Sequence, residues 1–226
     1  MLRCIPTRYS FRLFQAEEKM GTEKIPLFGV LTATVFALQM VNYPLGPGGT
    51  TGHLIGTPML SIIFGPEAGI VGISVVLLIQ ALLFGDGGIT TFGANALNMA
   101  IAASIVSFLT YKLMRKIFKS ESGRIVSGAV AGWLGIVSAA FLCGVELGLS
   151  KSTFGYGLNI TIPVMTISHA VLGIVEGAVT VSLSMHSVNI SQNFSRGEGL
   201  EENVFSPFGC GFSCHINWLS RSLFFI

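Results

Sequence analysis

The sequence predicts an all-α, polytopic transmembrane helix bundle of about six spans. Of 226 residues, 51% are apolar and only 11% charged, against roughly 25% charged in soluble domains. Apolar runs recur at about the 20-residue length that crosses the hydrocarbon of a bilayer. Lysine and arginine gather in alternate connections between those runs, as expected of cytoplasmic loops. Backbone polar groups cannot stay unpaired in lipid, so the runs are read as helices rather than open strands.

The first span covers 25–43, "IPLFGVLTATVFALQMVNY". The second, about 53–64, is too short to span alone. Either it is tilted or partly re-entrant, or residues 46–52 lie in protein-lined space below the surface; it also reads as a short span in a thin bundle. The third covers 67–84. The fourth covers about 90–111 and continues as a helix into "KLMRKIF". The fifth covers 125–149 and the sixth about 160–186.

Lys112, Arg115, Lys116, Lys119 and Arg124 cluster between spans four and five, and Lys19 and Lys24 precede span one. Six alternating spans put both groups on one side. The expected location is the cell membrane, with 112–124 facing the cytoplasm and loops 44–52, 85–89 and 150–159 facing outside. Glycine pairs four apart (Gly52/Gly56, Gly128/Gly132, Gly144/Gly148, Gly173/Gly177) predict close helix approach.

Several function classes are excluded or weakened. A net charge of +2 is too small to suggest a nucleic-acid partner. Cys4, Cys143, Cys210 and Cys214 are scattered and form no disulfide framework. No G-x-x-x-x-G-K-[ST] phosphate loop, H-E-x-x-H or G-x-S-x-G is present, and no catalytic activity is expected. Asp86 is the sole aspartate, too few for an aspartyl protease pair. No internal repeat argues for a carrier of two duplicated halves.

Polar residues in apolar surroundings are the candidate site. His53 stands at the outer end of the second span; imidazole suits cobalt, nickel, copper and zinc, though a lone histidine can equally bond a loop carbonyl. Gly85, Gly87 and Gly88 allow a tight turn with Asp86 at its tip. Asn95 and Asn98, three apart, share a helix face, and Gln80 is another intramembrane amide. They read either as interhelical hydrogen bonds or as a shell that fixes a ligand-bearing loop. His169, Gly173, Glu176 and Thr180 make one stripe on the last span, open to a functional or a structural reading. Glu146 is expected to pair with Lys151 at the surface.

The stretches "PLFGVLTATVFALQMVNYPLGPGGTTGHLIG" and "QALLFGDGGITTFGANALNMA" resemble the CbiM/NikM family. These are substrate-capture membrane components of energy-coupling-factor transporters for cobalt and nickel. The pattern is Q-M-x-N-[FY]-P, G-[GT]-[ST]-G-H-L, Q-x-L-L-F-x-D-G-G and G-x-N-x-x-N-M. "SHAVLGIVEGAVT", 168–180, is similar to the family's H-x-x-[IL]-G-x-x-E-[AG] segment. The resemblance covers about 24–186.

It implies that His53 binds the metal, with Gln39, Asn42, Gln80, Asp86, Asn95 and Asn98 supporting the site. His169 and Glu176 match motif positions without an assigned role. Family chains begin Met-His; that amino group, the next backbone nitrogen and that imidazole join the histidine equivalent to His53 in a roughly planar nitrogen set suited to Ni²⁺ and open to Co²⁺. This chain departs from the pattern. Leu2 stands where that histidine is needed, no comparable helix precedes residue 25, and six spans are counted where the family has seven. Cys4 is a conceivable substitute ligand.

The expected organisation is an atypical N-terminal segment 1–23, a transmembrane CbiM/NikM-like domain 24–186, and an atypical, loosely ordered tail 187–226. The tail carries Cys210, Cys214 and His215, a weak metal pattern. Both ends read as altered reading frames, mis-set gene boundaries or a decayed copy. The expected function is capture of Co²⁺ or Ni²⁺ for import, serving cobalamin biosynthesis or nickel uptake. The transported ion is the ligand and no cofactor is expected. The implied partners are separate ATPase subunits, a transmembrane coupling subunit, a small accessory membrane subunit and membrane lipid. The alternatives are a transport-defective protein with a structural or assembly role, and an ion-coupled secondary carrier.

Overall fold

The computed structural model describes residues 24–45 and 51–195, with side chains to 185. The chain divides into two units, 1–185 and 186–226. Of the second, only the helical backbone of 186–195 is described. The readings placed on 1–23, and on Cys210, Cys214 and His215, lie outside the described residues.

Helix α1 (Ile25–Gln39) carries Pro26 in its first turn, where a missing N–H costs nothing. A two-residue hairpin follows: β1 (Tyr43–Pro44) pairs antiparallel with β2 (Thr51–Gly52), Tyr43 opposite Gly52. Residues 53–56 are not helical, yet Leu54, Ile55 and Gly56 are buried. Helix α2 (Thr57–Phe64) therefore has only eight residues. The shortness of the second span has its cause here: the first third of that apolar stretch, 53–56, is non-helical chain lodged inside the protein, where other groups satisfy its backbone.

Gly65, at φ +95°, turns the chain tightly into α3 (Pro66–Phe84), whose last stretch Gln80–Phe84 is π-helical. Helix α4 (Phe92–Ile117) is also wide near its start, with a π stretch at Ala96–Ala102. Single π turns in otherwise α-helical spans mark functional sites more often than chance. Both are found on the flanks of the 85–91 loop.

Arg115 closes the junction after α4 by donating to the carbonyls of Phe118 and Ser120 at 2.6 and 2.9 Å. Ser120 then caps α5 (Glu121–Leu149), its Oγ accepting the Gly123 N–H at 3.0 Å. A short turn, α6 (Lys151–Phe154), leads to α7 (Leu158–Ser195). Helices α3, α4, α5 and α7 are each long and apolar enough to cross a membrane, and α1 is a shorter apolar helix. With α2, all six predicted segments contain a helix, the second over only its last two thirds.

The surface has the polarity of a membrane protein. On α7, Ile167, Val171, Ile174 and Val175 are 50–69% exposed, while Glu176 is fully buried. The charge faces the interior and the aliphatic side chains face outward, the reverse of a soluble helix. Close packing depends on glycine. A Cβ on Gly132 would lie 2.9 Å from Gly177 Cα, and one on Gly144 would lie 3.0 Å from Ile162 Cα. Thus the pairs on α5 and α7 act as the spacing predicts. Gly52/Gly56 does not: it brackets the extended segment, and Gly56 takes φ +62°.

Candidate functional site

The extended segment 53–56 is held by side chains from the first and last helices. Gln39, at the end of α1, donates from Nε2 to the Ile55 carbonyl at 2.7 Å. Glu176, in the middle of α7, accepts the N–H of Ile55 on one oxygen and the N–H of Gly56 on the other, both at 2.9 Å. Both side chains are wholly buried. A carboxylate taken out of water is costly unless its oxygens are hydrogen-bonded, and two consecutive amides meet that need. Thr57 adds a bond to the Met99 carbonyl at 2.8 Å, tying the segment to α4. His53 is thus carried on a short piece of chain fixed from three sides.

His53 is half-buried at the edge of a cavity of about 220 Å³. Asn42, Gln80, Asp86, Asn95, Asn98 and His169 line the same cavity. Of the residues that the family resemblance singled out, Gln39 and Glu176 do not line it, and those two hold the segment that presents His53. The spacing of Asn95 and Asn98 on one face explains their shared destination.

Each flanking group has a specific job. Gly85, Gly87 and Gly88 all take positive φ, between +66° and +71°, which glycine adopts without strain. Asn95 Nδ2 and the Thr91 hydroxyl both donate to the Gly87 carbonyl, steadying the loop that carries Asp86. Asn98 donates to Glu146 at 2.8 Å. Glu146 is therefore engaged by α4 inside the bundle rather than by Lys151 at the surface, because α5 turns this position toward the cavity wall. Asn98 Oδ1 is buried without a hydrogen-bond partner.

Sequence reasoning passed over part of the lining. Ile136, Ala139, Ala140 and Cys143 of α5, and Met165 of α7, form another wall. The i, i+3, i+4, i+7 spacing on α5 signals one face. Small apolar residues at that spacing look the same whether they pack against a helix or floor a cavity. Cys143 is a free thiol.

Among the described residues, no cluster of three or more His, Cys, Asp or Glu stands ready to hold a metal. The lining is two imidazoles, several amides and one carboxylate, a donor set that suits borderline transition metals better than Ca²⁺ or Mg²⁺. Such a donor-lined chamber inside a bundle of apolar helices defines a class: multi-pass membrane proteins that handle a small polar or metal solute.

Comparison with known proteins narrows the class. The family model of CbiM, the cobalt uptake substrate-specific transmembrane region, matches residues 4–188. A chain from Archaeoglobus fulgidus, named as a fused nickel transport protein NikMN, is 45% identical over 163 residues, covering 72% of this chain and 53% of that one. The cobalt transport protein CbiM of Geobacter sulfurreducens is 32% identical over 161 residues, covering 70% and 46%. This chain spans about half the length of those two relatives. The crystal structure of a truncated transition metal transporter superposes with a TM-score of 0.73 at 36% identity, covering 80% of this chain and 87% of that one. The chain belongs to the CbiM family. That is a family of transporter components, not of enzymes.

Proposed function

We propose that this chain is the substrate-capture membrane component of an energy-coupling-factor transporter that imports Co²⁺ or Ni²⁺. The observation that carries the reading is the placement of His53 on a rigidly held strand at the edge of a donor-lined cavity. His53 Nδ1 is 3.0 Å from the Leu54 carbonyl oxygen. A carbonyl only accepts, so Nδ1 donates and Nε2 keeps the lone pair for a metal. Asn98 Oδ1, buried and unpartnered, is free to accept from a water on the ion. Asp86 contributes negative charge at the loop, and Asn42, Gln80 and Asn95 supply further polar contacts. Residues 24–186 act as the transport domain in this reading.

In this reading loops 44–52 and 85–89 face outside and 112–124 faces the cytoplasm, in the cell membrane. Separate ATPase subunits, a transmembrane coupling subunit and a small accessory membrane subunit supply the energy and complete the transporter; the sequence has no phosphate loop of its own. The test is uptake of radioactive Ni²⁺ and Co²⁺ by cells that carry those subunits. His53→Ala is expected to reduce uptake at least about tenfold, in line with loss of a direct metal donor. Uptake equal to the parent would remove His53 from the mechanism.

A further inference from the structure

The cavity holds a second imidazole in the same hydrogen-bonded state as the first. His169 Nδ1 is 2.9 Å from the carbonyl oxygen of Met165, one turn earlier on α7. By the same argument Nδ1 donates and Nε2 carries the lone pair. Ligating histidines characteristically fix their tautomer in this way, with the far ring N–H given to a carbonyl. The free nitrogen is directed at the His53-bearing strand: a Cβ on Gly52 would be 3.1 Å from His169 Nε2. Both rings line one cavity. His169 is 9% exposed, and among the described residues only its Nδ1 makes a hydrogen bond.

A helix-packing histidine needs none of this. A ring that merely fills space has no reason to keep its acceptor nitrogen unpaired beside a polar chamber, where an unmet acceptor costs free energy. We infer that His169 is a second nitrogen donor to the captured cation, completing with His53 a two-imidazole site between the strand and α7. This rests on the capture reading of the cavity and adds a ligand to it. Glycine at 52 is required by packing as well, since a Cβ there would lie 2.2 Å from Leu45 Cδ1 and 3.1 Å from Leu172 Cδ2.

The experiment uses the full-length protein purified in detergent. Ni²⁺ affinity is measured by titration for the parent, His53→Ala, His169→Ala and His169→Gln; the glutamine keeps a donor for the Met165 carbonyl but removes the imidazole. Both His169 variants are expected to bind about ten- to a hundredfold more weakly. Pulsed electron paramagnetic resonance on one equivalent of Cu²⁺, which binds nitrogen sites strongly, counts coordinated imidazoles. Two are expected in the parent and one in each single variant, with thermal unfolding to show that the proteins fold. One imidazole in the parent, unchanged in His169→Gln, would overturn the inference, even if affinity had fallen. Unchanged affinity in His53→Ala would instead count against the capture site itself. Loss in His53→Ala alone would leave that site standing and remove only the second donor.

Discussion

Glu176 reaches from the middle of α7 to accept the amide N–H of Ile55 at 2.9 Å, two positions after His53 in the chain. Its second oxygen takes the next amide, Gly56. The last helix thereby fixes the backbone angles of the segment that carries the candidate ligand. A carboxyl buried in the bundle holds this segment and takes no part in lining the cavity.

Glu176→Gln is expected to damage metal binding without removing a ligand. The amide offers one acceptor and sets its NH₂ against a backbone N–H. A buried donor left without its acceptor costs about 1–3 kcal/mol, so a lowered melting temperature and a several-fold loss of Ni²⁺ affinity are expected. Titration and a detergent-phase thermal melt check both. Full affinity in this variant would mean that the strand holds its shape without the carboxylate.

Gly56→Ala tests the same segment from the backbone side. Gly56 sits at φ +62°, which costs an L-residue about 1–2 kcal/mol. The new Cβ would also lie 2.5 Å from Val35 Cγ2, and overpacking adds about 1–3 kcal/mol. Lower expression and a reduced melting temperature are the expected results. Gly29→Ala, where a Cβ meets nothing within 4 Å, serves as the silent control.

Trp133→Phe removes an α5–α7 hydrogen bond between two residues that do not themselves line the cavity. Trp133 Nε1 donates to the Ala170 carbonyl at 2.8 Å. Its loss is expected to cost about 1 kcal/mol of stability and to leave Ni²⁺ affinity within about twofold. A large affinity change would show that the α5–α7 contact sets the cavity's shape.

Metal binding is expected to weaken as pH falls. Each imidazole must be neutral to donate its Nε2 lone pair, so protons compete with the ion. Titrations between about pH 7.5 and pH 5.5 should show falling Ni²⁺ affinity on acidification. In His53→Ala and His169→Gln, with one competing imidazole fewer, the fall should be shallower. An affinity independent of pH would exclude imidazole ligation.

The proposed orientation can be read by labelling. Ile89→Cys, at an exposed loop position, and Lys116→Cys, each in a background with the four native cysteines replaced by serine, place thiols at the two ends of α4. A membrane-impermeant maleimide applied to intact cells is expected to label the first and spare the second. The opposite pattern would invert the topology and close the cavity to outside metal.

The helices were legible because their signal is long and apolar: α3, α4, α5 and α7 follow directly from runs that cross a bilayer. The second span was ambiguous for a physical reason. Leu54 and Ile55 are apolar whether helical or extended, and only the distant Gln39 and Glu176 show that they are extended. The lining amides were legible as polar residues in apolar helices. Cys143 and Met165 were not, since their side chains carry no polar signature. Glu146 was assigned its nearest cation in sequence, whereas α4 brings Asn98 to it across the bundle.

The wide turns at Gln80–Phe84 and Ala96–Ala102 also bear on how the family's sequences should be aligned. A bulge of this kind inserts a residue and offsets all that follows by about 100° around the helix axis. Trimming one position from 96–102 would restore ordinary winding and swing Asn95 away from the chamber while its inner half kept its packing. Among homologues, a single-residue gap at either place would therefore signal a rotated mouth rather than neutral drift in length.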